Sequence, residues 1–285
     1  VDAHTHISLQ AGACHTTDDF FTGTRSAACG GTTSVIEHLA FGPEGCSLRY
    51  QIDRYKKAAE GKAVIDYGLH GVFQHVTEDT LREMEELAAE GIQSFKIYLT
   101  YNFALSDADA LRVFRKAREL HTPIAVHCEN DSIVNYNRAE FVAEGRTAPR
   151  YHALSRSNEC EAEAVERMLH IAHMAGDAPL YIVHLSAHES LQAVREARAR
   201  GQKNIYVETC PQYLLLTDDV YEREDALKFV MSPPMRKQAD CDALWQGLAD
   251  GAVDVVATDY CPFNFATDKQ LGRDDFTKCP NGGTG

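Results

Sequence analysis

Two histidines stand near the start of the chain as His4-Thr5-His6. Side-chain direction repeats every second residue along a strand, so an extended segment here points both imidazoles to one side, where they can grip one metal ion. An HxH pair alone is often incidental, but four further groups occupy comparable places. Lys96 lies in Ser94-Phe95-Lys96-Ile97-Tyr98-Leu99, His127 follows Ile124-Ala125-Val126, His184 follows Tyr181-Ile182-Val183, and Asp259 follows Val255-Val256-Ala257-Thr258. Singly, each histidine also reads as a bonded core residue. An ammonium in an apolar strand must be neutralised or partnered, and a buried carboxylate is rare unless bonded or on a metal. Neutral imidazoles with oxygen ligands suit zinc, with manganese or cobalt as substitutes.

Short β-rich runs at 1–6, 32–39, 65–72, 94–101, 123–128, 179–185, 204–210 and 253–259 carry these groups. Amphipathic stretches at 77–90, 107–120, 159–175, 189–200 and 240–250 alternate with them, as crossover helices between parallel strands would. Eight such strands predict a (β/α)₈ barrel, although a doubly wound sheet alternates in the same way. The position of the polar residues favours the barrel: they end their strands, and in a barrel all strand ends share one mouth. No eighth helix is legible after Asp259 and the chain starts without Met, so the expectation is one barrel domain over 1–285 that is a fragment.

Composition narrows the function classes. The 285 residues, 44% hydrophobic, can bury one large core, and a formal charge of −14 disfavours nucleic acid and anionic membrane surfaces. No apolar run approaches a membrane span. Nine scattered cysteines without a CxxC pair point to a reducing cytoplasm rather than a disulfide framework.

The order of motifs resembles the amidohydrolase superfamily, and within it the hydantoinase and dihydropyrimidinase family, bacterial D-phenylhydantoinases above all. The resemblance runs through Val1-Asp2-Ala3-His4-Thr5-His6, Asp18-Asp19-Phe20-Phe21-Thr22-Gly23-Thr24-Arg25, Phe95-Lys96-Ile97-Tyr98-Leu99-Thr100-Tyr101, His127-Cys128-Glu129-Asn130, Glu208-Thr209-Cys210-Pro211-Gln212-Tyr213, Met231-Ser232-Pro233-Pro234, Thr258-Asp259-Tyr260 and Cys279-Pro280-Asn281-Gly282. It implies two divalent ions, zinc by expectation, one on His4, His6 and Asp259 and the other on His127 and His184, bridged by a carboxylated Lys96. It further implies a bridging hydroxide that attacks a cyclic amide carbonyl, with Asp259 carrying the proton to the leaving nitrogen. Tyr101 would bind the developing oxyanion, Ser232 and Asn281 the ring amides, and the assembly would be a homotetramer. The family also has a β-sandwich built from both chain ends, absent here, and a histidine where this chain has Tyr260, which puts proton transfer beside Asp259 in question.

The resemblance implies 5-substituted hydantoins as substrates. The alternatives are a dihydropyrimidinase, an opener of dihydroorotate or allantoin, and a non-catalytic scaffold of the dihydropyrimidinase-related kind. Ile7-Ser8-Leu9-Gln10 follows His6 where dihydroorotase-like chains place an arginine, so an uncharged ring is favoured. All six ligand positions are kept, against the scaffold. Loops 7–17 and 102–106 correspond to substrate gates, and their Leu9, Phe103 and Leu105 would wall an aromatic substituent. His38 and His70 read as core or supporting residues, His188 as a helix start, and Cys128 as a small buried group.

Overall fold

The first barrel strand, Asp2–Thr5, pairs in parallel with Ser34–His38, which pairs with Asp66–Val72, and the ladder continues through Phe95–Tyr98, Ile124–His127, Leu180–Ile182, Ile205–Thr209 and Val255–Val256 in sequence order. In this computed structural model, which describes residues 1–283, the last strand returns to the first. Thr5 bridges Tyr260 in parallel, and the His6 N–H donates to the Tyr260 carbonyl at 2.8 Å. The eight expected strands are therefore present in a closed parallel barrel, each shorter than expected by one or more residues. Thr284 and Gly285, the last positions of the expected 1–285 span, lie outside the described residues.

The helices follow from local chemistry. Asp107–Leu120 starts where the Ser106 side chain accepts from the Asp109 N–H at 3.1 Å, with Asp107 and Asp109 in the first turn, and ends at His121 in a left-handed cap. Its Ala110, Val113, Phe114 and Ala117, spaced for one helical face, are buried. Glu78–Ala89 begins with a reciprocal capping box between Thr77 and Thr80. His188 starts helix His188–Ala199, as its position suggested.

Elements not distinguished in the sequence are helices Phe20–Cys29, Leu48–Ala59, Asp131–Ala143, Arg150–Ser155 and Pro211–Leu215, and the hairpin of Gln10–Ala11 with Cys14–His15. Beyond Val255–Val256 the described residues hold only short 3₁₀ turns, Lys269–Gly272 and Phe276–Lys278. Among them no helix is long and apolar enough to cross a membrane. The main core fills the space between strands and helices, while the barrel interior is polar towards its mouth.

Close packing around the Lys96 strand is tight. A Cβ on Gly71 would come within 2.5 Å of the fully buried Phe95 ring. Gly71→Ala is expected to destabilise the fold by about 1–3 kcal/mol, the usual cost of overpacking, seen as a lower urea midpoint. An unchanged midpoint would show that the ring has room to move.

Candidate metal centre and substrate cavity

All nine residues singled out by the sequence line one cavity of about 640 Å³: His4, His6, Lys96, Tyr101, His127, His184, Ser232, Asp259 and Asn281. They come together because parallel strands deliver their C-terminal ends to one side of the barrel. His4 and His6 belong to the first strand and its end, Lys96 to the fourth, His127 to the fifth, and His184 and Asp259 follow the sixth and eighth.

The imidazole orientations are set by carboxylates. His4 Nδ1 lies 2.6 Å from Glu208 Oε1, so it carries the proton and donates. Glu208 also accepts from the Tyr181 hydroxyl and, at 2.9 Å, from the His184 N–H. Burial holds His4 neutral, its pKa well below the ordinary value. Its Nε2 is then a lone pair, yet it stands 3.1 Å from Asp259 Oδ1, which His6 Nε2 also approaches at 3.2 Å. A lone pair facing a carboxylate oxygen at that distance repels unless a cation lies among them. Burial works to raise the pKa of Asp259, but the adjacent His4 and His6 imidazoles and the Lys96 amine pull the other way, and the net shift is downward.

The second pair is arranged alike. His127 Nε2 lies 2.7 Å from Glu129 Oε2, which leaves Nδ1 as acceptor 2.9 Å from His184 Nε2. Burial works against the Glu129 charge, but the Arg156 guanidinium at 2.6 Å and the His127 imidazole draw its pKa down to about 2. Lys96 is buried among these groups and, among the described residues, makes no hydrogen bond or ion pair. Desolvation lowers its pKa to about 8, so the free amine is accessible near neutral pH. Imidazole nitrogens, one carboxylate and a lysine without a hydrogen bond or ion pair among the described residues fit divalent cations: His4, His6 and Asp259 offer ligand atoms within 4.8 Å of one another.

Tyr101 leaves its strand with φ +67° and is held by its N–H donating to Asp131 Oδ1 at 3.1 Å. Burial raises its hydroxyl pKa, so it remains a donor at neutral pH. Around Ser232 three carbonyls are already occupied: Val230 by Lys269 Nζ at 2.7 Å, Met231 by His152 Nε2 at 2.6 Å and Pro233 by the Tyr213 hydroxyl at 2.7 Å. Lys269 also donates to the Pro280 carbonyl at 2.8 Å, tying the Ser232 segment to the Asn281 segment.

Some expectations need correcting. Leu9 and Phe103 do line the cavity, but Leu105 packs into the core, and Phe41, stacked on Phe103 at 4.2 Å between centroids, takes its place. No arginine follows His6, but Arg138 and Arg156 reach the cavity from much later in the chain. The Tyr260 side chain is not in the cavity lining, because its hydroxyl donates to Asp18. His70 is bonded to the Ala3 carbonyl and the Ser94 hydroxyl, as a core histidine should be. His38 lies between the His4 and His70 rings, and both of its nitrogens lack partners among the described residues. Glu129 and Glu208 went unassigned, although a glutamate inside an apolar strand, as in Ile205–Thr209, was a usable signal.

The sequence profile of the amidohydrolase family matches residues 1–274. The chain is 53% identical over 282 residues to a D-phenylhydantoinase of Escherichia coli O9:H4 (strain HS), covering 99% of this chain and 61% of that protein. Among solved structures it resembles a D-hydantoinase from Bacillus sp. AR9 (TM-score 0.95, 42% identity) and a dihydropyrimidinase from Brevibacillus agri NCHU1002 (TM-score 0.96, 41% identity), each over 99% of this chain and 62% of the other.

Glu208→Gln replaces a charged acceptor by a neutral amide at His4 and should weaken metal affinity by about 10–100-fold, the usual effect of losing a carboxylate behind a ligating histidine. Chelator competition measures it, and unaltered affinity would remove Glu208 from the support of the centre.

Proposed function

The chain belongs to the amidohydrolase family, and from that premise we propose that it is a metal-dependent cyclic amidohydrolase that opens 5-substituted hydantoin rings. The observation that carries the reading is the single cavity in which six candidate ligands, a tyrosine and two ring-holding segments meet. The chain spans 61% of the length of the related D-phenylhydantoinase, so the reading concerns the site that this segment carries.

His4, His6 and Asp259 would hold one ion, His127 and His184 the other, and Lys96 would bridge them after its free amine has added CO₂ and lost a proton. Two cations exceed what a lone buried ammonium tolerates, and an anionic carbamate removes that repulsion. When bound, the ions, zinc by preference, supply Lewis acidity that polarises a ring carbonyl and makes water nucleophilic near neutral pH.

The remaining steps belong to side chains. Asp259 takes a proton as water adds to the ring carbonyl, and it returns that proton to the nitrogen when the C–N bond breaks. The ring opens to a single product that carries the new carboxylate at one end and the ureido group at the other. Tyr101 donates to the carbonyl oxygen as negative charge grows there. The backbone at Ser232 and Asn281 pairs with the ring amides, and Leu9, Phe41 and Phe103 supply an apolar wall for the substituent. Dihydropyrimidine opening in pyrimidine breakdown is the second reading, favoured by the likeness to a dihydropyrimidinase. A scaffold without chemistry would have no use for the six ligand positions. The free state of the nine cysteines supports a reducing cytoplasm, and the resemblance carries a homotetramer.

Metal counting with a substrate panel tests the reading. About two ions per chain are expected, with kcat/KM for 5-phenylhydantoin above that for dihydroorotate; a preference for dihydroorotate would overturn the assignment, and one for dihydrouracil would move it to pyrimidine breakdown. Lys96→Ala should lose both metal and activity and recover part of each with short carboxylic acids, whereas normal activity would exclude the bridge. Tyr101→Phe should lower kcat about 10²-fold with metal content intact, since one oxyanion donor is lost. An unchanged kcat would take Tyr101 out of the chemistry.

A further inference from the structure

Helix Asp131–Ala143 presents Asp131, Asn135 and Arg138 to the cavity at helical spacing, i, i+4 and i+7. The Asp131 carboxylate is occupied on both oxygens, by the Tyr101 N–H at 3.1 Å and by Asn135 Nδ2 at 2.8 Å. Arg138 differs. Its Nη2 donates to the Thr277 carbonyl at 3.1 Å and its Nη1 lies 3.5 Å from Asn135 Oδ1, both neutral acceptors. Among the described residues it forms no ion pair, although it is only partly exposed.

The neighbouring guanidinium shows the contrast. Arg156, fully buried, closes on Glu129 at 2.6 Å, so its charge is balanced within the protein. Of the two arginines in the cavity lining, Arg138 alone brings a charge that nothing in contact offsets, with donors to spare in its planar fork. A guanidinium in that condition matches the two oxygens of a carboxylate. Desolvation and the Arg156 charge lower its pKa and outweigh the opposing effect of Tyr101, Asp275 and Asp131.

We propose that Arg138 is a specificity-determining residue that recognises a carboxylate at the end of the ring substituent, so that the cavity favours hydantoins bearing a carboxyalkyl arm at position 5. The proposal rests on the hydantoin reading given above and adds to it the class of substituent. The apolar residues Leu9, Phe41 and Phe103 would cover the arm, and Arg138 its charged end.

The test compares 5-(2-carboxyethyl)hydantoin with 5-(2-carbamoylethyl)hydantoin, its uncharged counterpart of the same shape, and with 5-phenylhydantoin, using metal-loaded protein. The acid should exceed the amide in kcat/KM by about 10-fold or more, and Arg138→Gln should cut that ratio by about 10–100-fold, the range for one charge-assisted contact. Arg138→Lys should keep part of the preference. An acid no better than the amide, or a ratio that Arg138→Gln leaves alone, overturns the proposal. So does a loss confined to 5-phenylhydantoin, which would mean that the guanidinium stacks on an aryl ring. If none of the three rings is opened, the hydantoin reading fails instead. Calorimetric binding of the acid and amide to wild type and Arg138→Gln then decides the arginine separately: equal affinities overturn its role, and a charge-dependent difference supports it.

Discussion

His4 Nε2 and Asp259 Oδ1 stand 3.1 Å apart with lone pairs towards each other, both nearly buried at the wall of the cavity. Nothing in the free chain makes that contact favourable. Every feature around it works to keep the two groups there: Glu208 fixes the tautomer of His4, the same carboxylate receives the N–H of His184, and Glu129 with Arg156 orients His127. Such an arrangement is stable only with positive charge at its centre, which is why the donor set points to cations more strongly than any single ligand does.

The barrel supplies the rigidity this requires. Six described non-glycine residues have positive φ, and three of them, Tyr101, His184 and Asp259, line the cavity. Each conformation of that kind costs on the order of 1–3 kcal/mol and persists only where the surroundings dictate it. Here the dictating contacts are backbone hydrogen bonds of the closed sheet and the carboxylates beneath it. Tyr260 shows the division of labour. Its main chain joins the last strand to the first, a task open to any residue type, while its hydroxyl turns to Asp18. The departure from histidine at this position therefore leaves barrel closure intact.

The strands and the six ligand candidates were legible because each is a local signal: a short apolar run with a polar residue where the run stops or, for Lys96, a lysine inside the run. Glu208 and Arg156 were not assigned, since what makes them matter is a partner distant along the chain, His4 at 204 residues of separation and Glu129 at 27. Asp131–Ala143 was not distinguished as a helix, for it buries only Val134 and so lacks a clear apolar stripe. Phe41 took the place expected of Leu105 for a related reason: both follow strands, but only three-dimensional packing decides which ring or branch faces the cavity and which faces the core.

The segments around Ser232 and Asn281 raise a different question, namely how loops outside the sheet keep two backbone stretches in register. Lys269 provides much of the answer, beside the Gly282 N–H that donates to the Val230 carbonyl at 3.2 Å. Its ammonium is buried and, among the described residues, has no anionic partner, an arrangement that desolvation opposes and that lowers its pKa. Two carbonyls, Val230 and Pro280, offset that cost through their dipoles, and because both bonds start from one nitrogen, the two segments cannot move independently. A carboxylate in place of either carbonyl would bind the lysine more strongly but would put a negative charge beside the site. Carbonyl partners hold the segments while leaving the electrostatics of the cavity to the imidazoles, Asp259 and the lysine at its floor.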